Sequence, residues 1–334
     1  VAGVVLVDKE AGCTSHDVVA RCRRLFGQRR VGHAGTLDPD ATGLLVVGVG
    51  QATRLLGHLV GLAKSYTAEI VLGAATATLD SGGEVVGRWN MDNVSLADVR
   101  RQAASLTGNI LQVPPMVSAL KVGGQRLHKL ARQGIEVDRP ARPVTVSRFD
   151  VGDAIYTDAS GQRVVSVGVD CSSGTYVRTL ADDLGRGLGG GAHLRSLRRT
   201  RVGAFTVEQA RPVEQLTPAD VLAPVAAVGH LPRLEVGPAL AERVGHGARL
   251  DWDTVWRDAS GSHPGLPSRP SSHPGLPSRP SSHPGLPSRP GSHPGPWAVV
   301  DHQGRLLGLY LAEGEGGLRA ALVLSVPSEP MAPS

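Results

Sequence analysis

Gly32-His33-Ala34-Gly35-Thr36-Leu37-Asp38-Pro39-Asp40-Ala41-Thr42-Gly43, running into Leu44-Leu45-Val46-Val47, is the densest local signal in the chain. Three glycines and a proline specify a tightly shaped loop, because glycine tolerates left-handed backbone and proline locks its own φ. Two carboxylates, Asp38 and Asp40, lie in that loop just ahead of a run apolar enough to be a buried strand. A loop of set shape presenting an acid from a rigid scaffold is what a catalytic site requires. An ordinary turn has the same makeup, since Asp before Pro commonly starts a turn by bonding its own backbone. Spacing alone leaves both readings of Asp38 open.

Outward from this loop, Val4 to Val7 reads as a strand, and Ser15 to Phe26 as a helix with Val18, Cys22, Leu25 and Phe26 on one face and Gly27 as its cap. Tyr66 to Leu72 and Val165 to Cys171 alternate with period two and read as half-buried strands. Ser95 and Asp98 open a second helix with the stripe Leu96, Val99, Ala103 and Leu106. Strands and helices without strict alternation favour an α+β architecture.

A chain of 334 residues, 41% hydrophobic, suits one large core and one smaller one. The expected domains are residues 1–230 and 231–330. The second is interrupted at 258–296, where S-H-P-G-L-P-S-R-P-S repeats with a period of ten and holds eleven of the 24 prolines. Such a segment lacks amide donors and apolar residues and is expected to be disordered or polyproline-like. Its histidines at 263, 273, 283 and 293 impose no ligand geometry.

The net charge is +5, but Arg269, Arg279 and Arg289 of the acid-free repeat account for three of it. Local clusters are more informative: Arg21, Arg23, Arg24, Arg29 and Arg30, then Arg195, Arg198, Arg199 and Arg201. Either fits a nucleic-acid backbone or a solvated face. Cys13, Cys22 and Cys171 form no C-x-x-C pair, so a disulfide framework or zinc site is not expected and each reads as a buried apolar side chain. No apolar run is long enough for a membrane span and no leader layout is present, so a soluble cytoplasmic protein is expected, with no membrane partner. No oligomerisation stripe stands out, and a monomer is expected.

The quoted loop resembles the catalytic motif of the TruB family, the bacterial tRNA pseudouridine-55 synthases. The resemblance continues in order through Val7-Asp8-Lys9 with Gly12 and Thr14-Ser15, Gln51-Ala52-Thr53-Arg54, Lys64-Ser65-Tyr66, Pro114-Pro115-Met116-Val117-Ser118-Ala119, Gly174-Thr175-Tyr176-Val177-Arg178-Thr179-Leu180, and Ala192-His193-Leu194 to Arg198-Arg199-Thr200 with Gly203 and Phe205. It covers most of the first 210 residues. One departure is Glu10, where the family usually has Pro, which is expected to alter a local turn.

The resemblance implies a mixed, largely antiparallel central sheet flanked by helices, and, more faintly, a small C-terminal β-rich PUA-like RNA-binding domain. It implies a tRNA substrate, bound by its T-arm and T-loop, and no cofactor. The reaction breaks the bond from ribose C1′ to uracil N1, turns the base and rejoins it through C5, with no redox change, metal or energy donor. Asp38 is implied as the carboxylate, attacking the sugar or aiding loss of a C2′ proton. Arg178 is implied as the cation that holds Asp38 ionised. The helix pattern permits another reading, a surface pair of Arg178 with Asp182 four residues on.

Tyr66 is implied as the partner on which the extruded uracil stacks, and as a candidate proton acceptor at C5; its alternative is a core aromatic. Tyr176 is implied to orient the base or the Asp38–Arg178 pair. His33 is implied to help hold the T-loop open; a satisfied loop histidine is the other reading. Lys9, Gly35, Thr36, Arg198 and Arg199 complete the implied RNA contacts.

Other motifs are set aside. Gly48-Val49-Gly50-Gln51-Ala52-Thr53 has Thr where a dinucleotide fingerprint needs Gly or Ala, and no phosphate-loop lysine motif occurs, so no nucleotide cofactor is expected. The rival class is an RNA-binding or tRNA-folding module without activity, which would need no set of Asp38, Tyr66 and Arg178. A hydrolase reading of His33 with Asp38 and a serine lacks a nucleophile elbow.

Overall fold

Thr14 and Asp17 build the start of the first helix: each side chain bonds the other's backbone N–H in a capping box, and α1 runs Ser15–Leu25. It ends where Gly27 N–H donates to Arg24 O at 3.4 Å and Gln28 N–H to Arg23 O at 3.1 Å, a Schellman closure. The computed structural model describes residues 1–118, 137–261, 295–314 and 316–324, and, between 119 and 136, residues 121–122, 125–127, 130, 133 and 135.

The chain divides into two units, Val5–Val221 and a second containing Ala2–Val4 with the described residues from Leu222 onward. The break thus falls earlier than the expected 230. Val4 and Leu222 exchange backbone hydrogen bonds of 2.9 and 2.8 Å, a pairing that no local pattern reveals.

Apart from a short pair, Lys121–Val122 with Gln125–Arg126, the strands of the first unit are β1 (Gly3–Lys9, within it from Val5), β2 (Val31–His33), β3 (Thr42–Val49), β4 (Lys64–Leu72), β5 (Ala74–Thr76), β6 (Val85–Arg88), β7 (Gly108–Gln112), β8 (Arg142–Thr157), β9 (Arg163–Cys171), β10 (Ala192–Val202) and β11 (Phe205–Thr206). Nine form one sheet in the order β1-β3-β10-β4-β9-β8-β7, with β2 on β3 and β11 on β10; β5 and β6 form a separate hairpin. β3 and β10 pair parallel, whereas β2 with β3, and β10 through β4, β9 and β8 to β7, pair antiparallel. This is the mixed, largely antiparallel sheet the resemblance implied.

Alternation in β4 and β9 turns Ala68, Ile70, Val165, Val167 and Val169 to one face. On that face they share a core with Val18 and Cys22 of α1, Val99 and Ala103 of α2 (Leu96–Ser105), and Leu180 and Leu184 of α3 (Val177–Gly187). Burial pushes the Cys22 and Cys171 thiols up to about 11, as suits inert apolar fillers. Cys13 is half-buried against the same core.

The second unit holds a five-stranded sheet: β12 (Arg233–Val236), β13 (Leu250–Asp251), β14 (Trp297–Asp301), β15 (Leu306–Glu313) and β16 (Gly317–Val323), in the order β12-β14-β15-β16-β13. Trp252, Trp297, Tyr310 and Leu318 fill its core. The helix Trp252–Gly261 occupies 258–261, so regular structure persists four residues into the span read as insertion. The repeat from 262 to 294 lies outside the described residues. Among the described residues no helix is long and apolar enough to cross a membrane.

Candidate active site

The loop between β2 and β3 is held by its own carbonyls. Arg199, 1% exposed, donates Nη2 to Gly35 O at 3.0 Å, Nη1 to Thr36 O at 3.4 Å and Nε to Leu44 O at 2.8 Å. Ser15 Oγ donates to Leu37 O at 3.1 Å and accepts from Leu37 N–H at 2.9 Å. Ala41 N–H donates to Asp38 O at 3.1 Å, while Lys9 Nζ at 2.8 Å and Gly12 N–H at 3.0 Å share Pro39 O. Every carbonyl from Gly35 to Pro39 therefore has a donor, and four separate segments supply the clamps. Two glycines make the path possible. Gly35 has φ +91°, and at Gly43, with φ +97°, a Cβ would fall 2.3 Å from the carbonyl oxygen of Arg199 on the paired strand.

Asp38, presented by this loop, meets Arg178 at the start of α3. Nε of Arg178 lies 3.0 Å from Asp38 Oδ2, and Nη2 donates to Oδ1 at 3.4 Å. The Arg178 side chain is 5% exposed and that of Asp38 44%, so the cation is walled in and the acid keeps an open side. The rest of the guanidinium is occupied: Nη2 donates to Val117 O at 2.8 Å, and Nη1 to Thr78 O at 3.0 Å with Asp80 Oδ2 at 3.3 Å. Asp182 pairs instead with Arg186 at 2.9 Å. This excludes the surface pair with Arg178 that helix spacing permitted.

The electrostatics correct one expectation. Arg178 was to hold the Asp38 carboxyl down, yet burial raises it above the usual aspartate range more than Arg178 lowers it, and Asp80 and Asp40 push the same way.

Asp80 was not singled out from sequence. Its segment, Thr78-Leu79-Asp80-Ser81-Gly82-Gly83, reads as a turn, which it is: Asp80 Oδ1 accepts from Thr78 Oγ1 at 2.5 Å and from Gly82 N–H at 3.1 Å. Leu79 has φ +63°, a left-handed backbone that costs a non-glycine residue about 1–2 kcal/mol. Turn composition was the available sequence signal, and only the fold brings Asp80 to Arg178. Ser15 was legible as part of a motif but not as a clamp.

Tyr66 is 8% exposed and paired in register with Arg199 on β10 and Val169 on β9. Burial raises its phenol, and the Asp38 charge raises it further, so it stays protonated at neutral pH. Tyr66 also belongs to the core cluster that includes Ala68 and Ile70, as its core-aromatic reading expected. Tyr176, half-buried, caps α3; its backbone N–H donates to Gln112 Oε1 at 2.8 Å, and its phenol feels both Arg178 and Asp38. His33, at the end of β2, meets His16 edge-on with ring centroids 5.4 Å apart, and burial lowers its pKa. Thr36 is exposed beside it.

Three implied RNA contacts are placed differently from expectation. Arg199 is buried as the loop clamp, because its planar fork matches three carbonyls at once. Lys9, 1% exposed, spends its ammonium on Glu10 O and Pro39 O. Arg198 is half-exposed but bound bidentately by Asp8 at 2.7 and 2.9 Å. Glu10, the departure from the family pattern, pairs with Arg21 at 3.1 Å while its carbonyl accepts Lys9. Among the described residues no three His, Cys, Asp or Glu side chains converge as metal ligands.

The fold is shared with solved structures. A chain of a Cbf5-Nop10-Gar1 complex matches 96% of this chain and 83% of its own length, with a TM-score of 0.64 at 24% identity. A chain of the archaeal box H/ACA sRNP Nop10-Cbf5 complex matches 96% and 85%, with a TM-score of 0.63 at 22% identity. The chain also matches the family of pseudouridylate synthases and relatives named for that activity, which makes it a pseudouridine synthase, an isomerase that re-attaches uracil to ribose through carbon.

Two family profiles match consecutive stretches: TruB family pseudouridylate synthase (N terminal domain) at residues 23–177 and tRNA pseudouridylate synthase B C-terminal domain at 178–223. The chain is 54% identical over 254 residues to the tRNA pseudouridine synthase B of Thermobifida fusca (strain YX), covering 74% of this chain and 86% of that one. It is 57% identical over 217 residues to the protein of that name from Rhodococcus jostii (strain RHA1), covering 64% and 70%. The chain belongs to the TruB family of pseudouridylate synthases.

Proposed function

We propose that the enzyme converts a uridine of tRNA, at position 55 of the T-loop, to pseudouridine, with Asp38 as the catalytic carboxylate. The observation that carries this reading is the open side of Asp38, which is backed at 3.0 Å by the buried Arg178 guanidinium and lies in a loop whose carbonyls from Gly35 to Pro39 all have donors. A pre-set acid needs no reorganisation when the sugar arrives. The tRNA substrate rests on the relatives named for it.

Two routes suit the carboxylate. In one it bonds to C1′ as the C1′–N1 bond breaks, the electron pair leaving with uracil. In the other it assists loss of the C2′ proton, giving a glycal-like sugar to which C5 later adds. In the first, C5 of the turned base then displaces the carboxylate from C1′; in the second, C2′ takes a proton back as C5 adds at C1′. In either, C5 gives up its proton and N1 gains one, directly or through solvent, with no net redox change. Tyr66 offers a flat apolar face to the detached base, and stacking on an aromatic is worth about 1–3 kcal/mol per base. Tyr176, two residues before Arg178 in the chain, orients the base or the Asp38–Arg178 pair, and His33 with Thr36 marks the rim where the nucleotide enters.

The test is to incubate the protein with an unmodified tRNA transcript and map pseudouridine. Position 55 is expected to convert with the natural chain and to stay uridine with Asp38→Asn, which still binds RNA. A T-loop uridine left unmodified by the natural chain refutes the proposal, and turnover by Asp38→Asn removes the acid from its role.

A further inference from the structure

From Val18 to Leu37 the chain carries five arginines and no acid. Arg21 is claimed by Glu10 at 3.1 Å and Glu214 at 2.8 Å, and Arg23 gives Nη2 to Val31 O at 3.1 Å. Arg24, Arg29 and Arg30 are exposed and have no ion pair among the described residues. The second cluster is the opposite case: Arg195 is met by Asp158 at 2.9 Å, Arg198 by Asp8 at 2.7 Å and Arg201 by Asp170 at 4.0 Å, while Arg199 is buried. An arginine already matched by a carboxylate has little attraction left for a polyanion.

We propose that the turn joining α1 to β2, with Arg24, Arg29 and Arg30, holds the phosphate backbone of the RNA substrate beside the nucleotide at Asp38. This rests on the RNA-modifying function proposed above. Arg24 also lies in the last turn of α1, where a cation favours the helix end; Arg29 and Arg30 follow the Schellman closure and have no such duty. The turn is pinned as well, since Gly50 N–H donates to Arg30 O at 2.8 Å. Strand β2 leads from Arg30 straight to His33; three residues at about 3.3 Å each place the basic turn roughly 10 Å from the rim of the site. A strand entering past His33 thus brings its neighbouring phosphates over the turn.

The test measures tRNA binding against salt for the full chain. Each neutralised phosphate contributes roughly 0.7–0.9 to the slope of log Kd on log salt. The variant Arg24→Gln/Arg29→Gln/Arg30→Gln is expected to lose about 2 from that slope and to bind about 10- to 100-fold more weakly near physiological salt. Arg→Lys at the same three positions keeps the charge and is expected to keep the slope. Arg100→Gln/Arg148→Gln/Arg195→Gln removes the same net charge from acid-paired sites and is expected to leave it unchanged. An unaltered slope and affinity in the first variant, or an equal loss in the third, overturns the proposal while the natural chain still converts tRNA. Absence of both conversion and saturable tRNA binding in the natural chain overturns the functional reading and this surface with it.

Discussion

At Asp38 two fields oppose each other: burial, Asp80 and Asp40 raise the carboxyl, Arg178 and Lys9 lower it, and the sum is upward. A carboxyl raised in the folded state contributes stability that is fully present below its unfolded pKa and is lost as pH rises through the folded value. At neutral pH the ionised acid therefore works against folding, and Asp38→Asn is expected to melt no lower than the natural chain while being inactive. Because the proposed chemistry needs the carboxylate, kcat/KM is expected to fall on the acid side with a midpoint above the ordinary aspartate value. Asp80→Asn removes a charge that raises Asp38 and is expected to move that limb to lower pH; a limb that stays put would detach Asp80 from the electrostatics of the site.

At the scale of elements, the loop is a joint between strand β2, strand β3, the first turn of α1 and strand β10. Ser15 is the cleanest place to test that joint, since one hydroxyl satisfies both backbone groups of Leu37, next to the acid. Ser15→Ala strands a buried N–H and C=O, which costs about 1–3 kcal/mol. A displacement of the acid by a fraction of an ångström is expected to lower kcat roughly tenfold to a hundredfold. RNA affinity should hold, because Ser15 lies under the loop, 1% exposed. Ser15→Thr keeps the hydroxyl and should restore most of kcat. Loss in KM alone, with kcat intact, would reduce Ser15 to ordinary packing.

For the whole molecule, the strands of the second unit come from both sides of the repeat: Arg233–Val236 and Leu250–Asp251 before it, Trp297–Asp301 and the two strands that follow after it. Their pairing does not require the repeat's sequence, and loop closure depends only weakly on length. Replacing residues 262–294 by a short Gly/Ser linker is expected to leave tRNA conversion within about twofold. A large loss with the melting transition preserved would show that the repeat takes part in RNA binding.

The sequence by itself determined the local parts: the helix start at Ser95 and Asp98, the alternation of Tyr66 to Leu72, and the glycine-bounded loop around Asp38 were all readable, because each depends on residues within a turn or a strand of one another. Motif order was enough to name the family resemblance and to pair Asp38 with Arg178, which lie 3.0 Å apart. Only tertiary structure decided how charge is allotted. Arg178 had a local partner in Asp182 and took Asp38 and Asp80 instead; Arg199 and Lys9 looked like surface cations and are buried clamps; Arg198 is matched by Asp8 from a distant strand. The physical reason is that a guanidinium or ammonium satisfies whatever acceptors surround it in space, and those acceptors come from segments whose meeting is set by sheet pairing, not by spacing along the chain.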